Sequence, residues 1–348
     1  MVIRPATHAG SWYSNNPAKL KTQLEGFFHK AKKLEHSLSQ EKVKESIHGA
    51  RVLIGPHAGF AYSGERLAET FTVWDKSKVK RIFMLGPSHH VYFKNSVLVS
   101  QFNEYETPFG NIPVDNDTID ELLSIKSSSK SRGPVFKYMS SEVDEDEHSF
   151  EMHAPFIYHA TRNLPQGTPK IIPILISGMD DKLGEDLANA LLPYLANEEN
   201  HFVVSSDFCH WGQRFGYSKY IPTKNDTSIT ELGSNLVDLG MFQRLSSNDL
   251  PIHESIEFLD KFAMQIASDG KYHEWRNYIT TTGNTICGQK PIGVILRLLE
   301  LFTESQSQSQ SQQQSLPPSF KWIGYSQSNA VYKPNDSSVS YASGYVVL

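Results

Sequence analysis

Arg51-Val52-Leu53-Ile54-Gly55-Pro56-His57-Ala58-Gly59 is a short apolar run that stops on a glycine–proline turn and carries a histidine just beyond it. A run of this length, bounded by turn residues, reads as a buried β-strand. The pattern returns along the chain. Arg81 to Leu85 runs into Gly86-Pro87-Ser88-His89-His90, and Ser96 to Ser100 is rich in β-branched residues. Ile171 to Ile176 ends at Ser177-Gly178, and His201 to Val204 ends at Ser205-Ser206-Asp207-Phe208-Cys209-His210-Trp211-Gly212. Helix-like stretches lie at 64–75, 151–163, 181–195, 253–266 and 291–303. Another spans 17–34, where Pro17 suits a first turn and Leu20, Leu24, Phe27, Phe28, Ala31 and Leu34 recur at helical spacing. Short strands alternating with helices predict an α/β layered domain. Pro173 lies inside a strand run and predicts an edge or a bulge there.

Segments 36–49 and 126–133 are polar and read as loops. Residues 305–315 are almost pure Ser and Gln and precede Pro317-Pro318. Such a tract cannot build a core, so 305–318 is expected to be a flexible surface loop. Apolar alternation resumes at Val339, Tyr341, Tyr345 and Val347, which predicts a closing strand and a single domain over 1–348.

The chain has 348 residues, 39% of them hydrophobic, which is enough for a large core and too many for a disordered chain. Its formal charge of −5 gives no support to broad nucleic-acid binding. Two cysteines, Cys209 and Cys287, are too few for a disulfide scaffold. No secretory leader or membrane-length apolar run is evident. An intracellular protein is expected, in the cytoplasm and with the nucleus as a second compartment. The 14 histidines are the more telling feature, because imidazole is both the commonest metal ligand and the usual acid–base group near neutral pH.

Three of the predicted strands end in histidine-bearing turns: His57, His89-His90, and Asp207 with His210. Ligands in open α/β sheets bind at the carboxyl ends of strands. Convergence of these turns would make a metal or acid–base site. At most one of His89 and His90 points into it, and by residue type alone Asp207 caps the next turn as readily as it ligates. His210 alternatively donates to a carbonyl. Cys287, in Asn284-Thr285-Ile286-Cys287-Gly288 ahead of an apolar helix, is expected to have a lowered pKa. Cys209 competes for the same role, and spacing does not separate the two. In the acidic run 144–153, His148 and Glu151 are three apart and share a helix face, and much of the acidity reads as negative charge at a helix N-terminus. Glu151 or His153 is a weaker candidate for a pocket wall, as is His8 in Thr7-His8-Ala9-Gly10-Ser11-Trp12-Tyr13.

Together, His8 to Tyr13, Pro56 to Gly59, Gly86 to His90, Asp144 to His153, Ser205 to Gly212 and Asn284 to Gly288 resemble the Memo family over nearly the whole chain. The resemblance implies a sheet with helices on both faces, related to the extradiol dioxygenases. It implies a metal pocket of His57, His89 and Cys287 that takes iron or copper, with Asp207 and His210 close by as candidate catalytic or proton-relay groups. His8, Trp12, Tyr13, Glu151, His153 and Trp211 are expected to line the pocket. The family resemblance further implies redox signalling, cell motility and phosphotyrosine-peptide partners. Trp12, Tyr13, Trp211 and Arg214 suit such a peptide groove in type. A non-haem-iron dioxygenase acting on a small phenol is a third expectation. That chemistry ordinarily uses two histidines and a carboxylate, so a cysteine ligand argues against inheriting it from the fold.

Overall fold

The predicted strands are the middle of one nine-stranded sheet in the computed structural model, which describes residues 2–33, 38, 46–129, 133–309 and 318–348. In chain order its strands are β1 (Ala50–Gly55), β2 (Arg81–Pro87), β3 (Val97–Val99), β4 (Phe136–Tyr138), β5 (Lys170–Ile176), β6 (Asn200–Ser205), β7 (His210–Trp211), β8 (Lys321–Gln327) and β9 (Ser338–Val347). The sheet order is β7-β9-β1-β6-β2-β5-β3-β4, with β8 also paired to β9. At its centre β1, β6, β2 and β5 are mutually parallel. Every residue of β1 and β6 is buried. Both faces of these strands are covered, which is why their sequences run apolar without alternation.

Parallel neighbours need crossovers, and helices supply them. Helices α1 (Pro17–Lys33) and α2 (Phe60–Val73) pack on each other, and α2 lies against β1, β8 and β9. Helices α3 (Asp181–Leu195) and α4 (Gln289–Ser309) likewise pair, and α4 lies against β2 and β6.

Several boundaries differ from expectation. Helix α2 begins at Phe60, four residues before the predicted start, because Gly59 O already accepts from Tyr62 N and Ser63 N. The 151–163 stretch is two short helices, His148–Glu151 and Ala154–Thr161, with Pro155 opening the second. Pro173 is neither at an edge nor in a bulge, since β2 and β5 stay in register from Arg81↔Lys170 to Pro87↔Ile176. Its missing N–H falls on the other side of β5. There β3 ends at the Val99↔Ile174 pair, and the next bond is Asp115 N to Ile171 O. Helix α4 continues through Ser309 into the Gln/Ser tract. Extending an established helix adds one hydrogen bond per residue, so an exposed polar extension needs no core face. Residues 310–317, 130–132, and Leu34 with most of 36–45 lie outside the described residues.

Candidate metal centre

Strands β1, β6 and β2 are neighbours, with Gly55 opposite Ser205 and Val204 opposite Leu85. Their carboxyl ends therefore open on one edge of the sheet, and the three motif-bearing turns meet there. His57, His89 and Cys287 each offer a ligand atom, all within 4.8 Å of one another. Cys287 Sγ is 3.2 Å from His57 Nε2 and accepts from Asp207 N at 3.1 Å.

Hydrogen bonds determine which imidazole nitrogen is free. His89 Nδ1 faces Glu147 Oε1 at 2.8 Å, and His89 N donates to Glu147 Oε2 at 2.9 Å. Burial alone would raise the Glu147 pKa. The hydrogen bonds it accepts from the ring and the backbone N–H of His89 oppose burial and bring the carboxyl down to about 2. An ionised carboxylate only accepts, so His89 carries its proton on Nδ1 and presents Nε2. Such a carboxylate–histidine pair is the usual support for a metal-bound imidazole. His57 Nδ1 lies 2.7 Å from Ser205 Oγ, again leaving Nε2 toward the site. Burial and then the adjacent ring of His89 hold the His57 pKa well below normal, so it is neutral, the form that ligates.

The thiol departs from expectation. Removal from water and, next, the charge of Asp207 push the Cys287 pKa well up. The nearby start of α4 does not offset this, so Cys287 is a thiol until a cation displaces its proton. The donor set still fits a metal. Bonds of typical length in a tetrahedral site would set sulfur and nitrogen about 3.6 Å apart, a few tenths beyond the gap seen here. Cys209 is the other cysteine and is fully buried in a separate cluster with Trp211, Tyr217 and Tyr220.

Around this group lies a cavity of about 660 Å³, whose wall includes Trp12, Tyr62, His148, Asp207, His210 and Arg214. Asp207 Oδ1 accepts from His57 N at 2.8 Å. Burial raises the Asp207 pKa against the opposing effect of His210. His210 Nδ1 is 2.9 Å from Phe208 O, so the ring does donate to a carbonyl while still lining the cavity. His90 is exposed, outside the ligand group.

Four predicted lining residues stand behind the wall. Tyr13 donates to Glu151 Oε1 at 2.8 Å and stacks on Phe60. Glu151 takes Arg4 Nη1 at 2.7 Å and His8 Nδ1 at 2.8 Å. His153 is fully buried, and Trp211 is buried with its Nε1 donating to Lys219 O. His8 is not on the wall either, and its ring meets that of Trp12, which is, edge-on at 5.4 Å.

Glu147 and His148 belong to the site without a sequence signal that singles them out. Negative charge at a helix start accounts for the acidic run in sequence, and Glu147 does cap helix 148–151 by accepting from Ser149 N. The same oxygen holds His89. His148 stacks on His89 at 4.2 Å and meets His57 edge-on at 5.3 Å. His89, Glu147 and His148 are also close enough to form a group. Glu147 is already committed to His89, so the group supports the first site rather than making a second.

A family model described as Memo-like protein matches residues 4–345. The chain belongs to the Memo family. The chain is 41% identical to the MEMO1 family protein MHO1 of Saccharomyces cerevisiae, with each chain covered in full. It is 36% identical to protein MEMO1 of Homo sapiens, over 100% of this chain and 98% of the relative. Memo-family membership thus extends over the whole fold, including all the elements that bring His57, His89 and Cys287 together. No helix among the described residues is long and apolar enough to cross a membrane.

Proposed function

We propose that this Memo-family chain is an intracellular metal-binding protein that holds iron or copper on His57, His89 and Cys287 and serves a redox-linked regulatory or signalling role. One observation carries the reading: two imidazoles whose protons are committed elsewhere present Nε2 to the region occupied by the Cys287 sulfur. Imidazole with thiolate suits iron or copper better than the hard cations Mg²⁺ and Ca²⁺. Bound there, either ion supplies one-electron chemistry. The chain's own residues orient the ligands through Glu147 and Ser205, and Asp207 and His210 hold polar groups on the cavity side. Metal analysis of purified wild type beside His57→Ala, His89→Ala and Cys287→Ala tests the assignment. Loss of iron or copper in the variants is expected, and unchanged content in all three overturns it.

A second reading rests on the cavity wall. Arg214 shares that wall with the aromatic side chains of Trp12 and Tyr62, a combination suited to a phosphotyrosine-containing peptide of a signalling partner. Peptide binding that survives chelation and is lost in Arg214→Ala would favour it over the metal role.

A further inference from the structure

We propose that Ser205 is the positioning residue that sets which nitrogen of His57 faces the pocket. The inference rests on the metal reading above for its purpose, but not for its geometry.

Ser205 is the last residue of β6, fully paired against Gly55 of β1. Its hydroxyl has three partners. Oγ is 2.6 Å from Ser149 O, 2.7 Å from His57 Nδ1 and 3.0 Å from His153 Nε2. A hydroxyl has one proton to give and two lone pairs to receive. Ser149 O accepts only, so that proton is committed. Met152 N goes to His148 O and His153 N to Phe150 O, and both leave Ser149 O to Ser205. The two lone pairs of Oγ are then filled by N–H groups, one from each ring. His57 must carry its proton on Nδ1, and Nε2 is left with a lone pair 3.2 Å from Cys287 Sγ.

His153 supports the count. With its proton on Nε2, its Nδ1 is a bare acceptor, and that atom is buried without a hydrogen-bond partner. Leaving a buried acceptor unpaired is costly. The ring nevertheless holds this orientation, with Nε2 on the serine. Ser205 thus joins the ligand His57 to the break between helices 148–151 and 154–161. Helix 148–151 itself follows Glu147, the carboxylate that orients His89. Both imidazole ligands are referred to one short segment.

The test is histidine-selective ¹⁵N NMR of metal-free protein, which reads tautomers directly, beside Fe(II) titration under anaerobic conditions. Wild type is expected to hold His57 as the Nδ1–H tautomer. Ser205→Ala removes the acceptor, so His57 populates Nε2–H and Fe(II) affinity falls about 10- to 100-fold. Ser205→Thr keeps the hydroxyl and is expected to restore both. Should the alanine variant not fold, Ser205→Cys, a weak acceptor of similar volume, is read in the same way. A soluble, folded Ser205→Ala or Ser205→Cys variant that keeps His57 wholly as Nδ1–H overturns the proposal. Wild type with the expected tautomer but no Fe(II) binding leaves the orienting role of Ser205 standing and overturns the metal reading instead.

Discussion

Cys287 Sγ lies 3.2 Å from His57 Nε2, although 230 residues separate the two in the chain. The contact joins the turn after the first sheet strand to the loop that opens the last long helix. A cation bound at this contact is bound only by the folded chain, so it must stabilise the fold. Linkage gives about 2.7 kcal/mol when free ion is a hundredfold above Kd. Fe(II) should therefore move the wild-type denaturation midpoint upward, and Cys287→Ser, which replaces sulfur with a poorer ligand, should reduce that shift. Urea unfolding with and without Fe(II) measures it. Equal shifts in the two proteins would remove Cys287 from the ligand set.

Acid should unfold the protein through its buried imidazoles. Burial lowers the pKa of His153 to about 3 and that of His201 to about 4. Trp74 Nε1 donates to His201 Nδ1 at 2.8 Å, a bond that a proton on Nδ1 would break. The unfolded chain protonates both rings near pH 6.5, where the folded chain does not. Below that pH the unfolded state binds more protons, so stability falls with acidification until the folded-state pKa values are reached. Each ring contributes a slope approaching about 1.4 kcal/mol per pH unit in this window. Urea titrations between pH 7.5 and 4.5 should show the fall, and His201→Gln should flatten it. A variant as steep as wild type would contradict the assignment.

Much of this molecule was legible in its sequence because the decisive signals are local. Apolar runs ending in Gly-Pro or Ser-Ser-Asp marked β1, β2 and β6, and their parallel adjacency turned three remote motifs into one site. What escaped was set by long-range contact. Glu147 looks like any acidic helix cap until β2 brings His89 against it. Tyr13, Glu151, His153 and Trp211 are the right types for a pocket wall, and the sequence carries no sign of which face the fold turns inward. The lowered pKa expected of Cys287 fails because proximity to a helix start is visible in sequence and desolvation is not.

Arg4 should matter far more than its place at the chain's start would indicate. Its guanidinium is 1% exposed and bonds Asp144 Oδ1 at 3.1 Å, Glu151 Oε2 at 2.7 Å and Glu147 O at 2.9 Å. Arg4→Ala leaves two buried carboxylates without their cation, a change that costs about 3–5 kcal/mol. It also loosens the segment carrying Glu147 and His148, so Fe(II) affinity should fall with stability. Chemical denaturation and metal titration of the same preparation would show both. Stability within about 0.5 kcal/mol of wild type, the range of ordinary surface changes, would mean that the network is dispensable.

The loop that delivers Cys287 is held close to β6 by a glycine with no room for a side chain. A Cβ at Gly288 would sit 2.3 Å from Ser206 Cβ, 2.4 Å from Ser206 Oγ and 2.8 Å from the backbone oxygen of Ser205. Ser206 Oγ also receives Gly288 N at 3.0 Å, so the loop and the strand end cannot separate without losing that bond. Gly288→Ala must therefore displace residues 284–288, at a cost of about 1–3 kcal/mol for overpacking. The displaced residues include Cys287, so Fe(II) affinity should drop as well. Gly26→Ala is the control. Apart from the adjacent residues and the helix's own backbone, no described atom lies within 4 Å of a Cβ there, and the position is inside helix α1. That substitution should raise stability by about 0.5–1 kcal/mol and leave metal binding untouched. Full Fe(II) affinity in Gly288→Ala would show that the site tolerates movement of its sulfur ligand, and the close approach at Ser206 would then have no bearing on the metal.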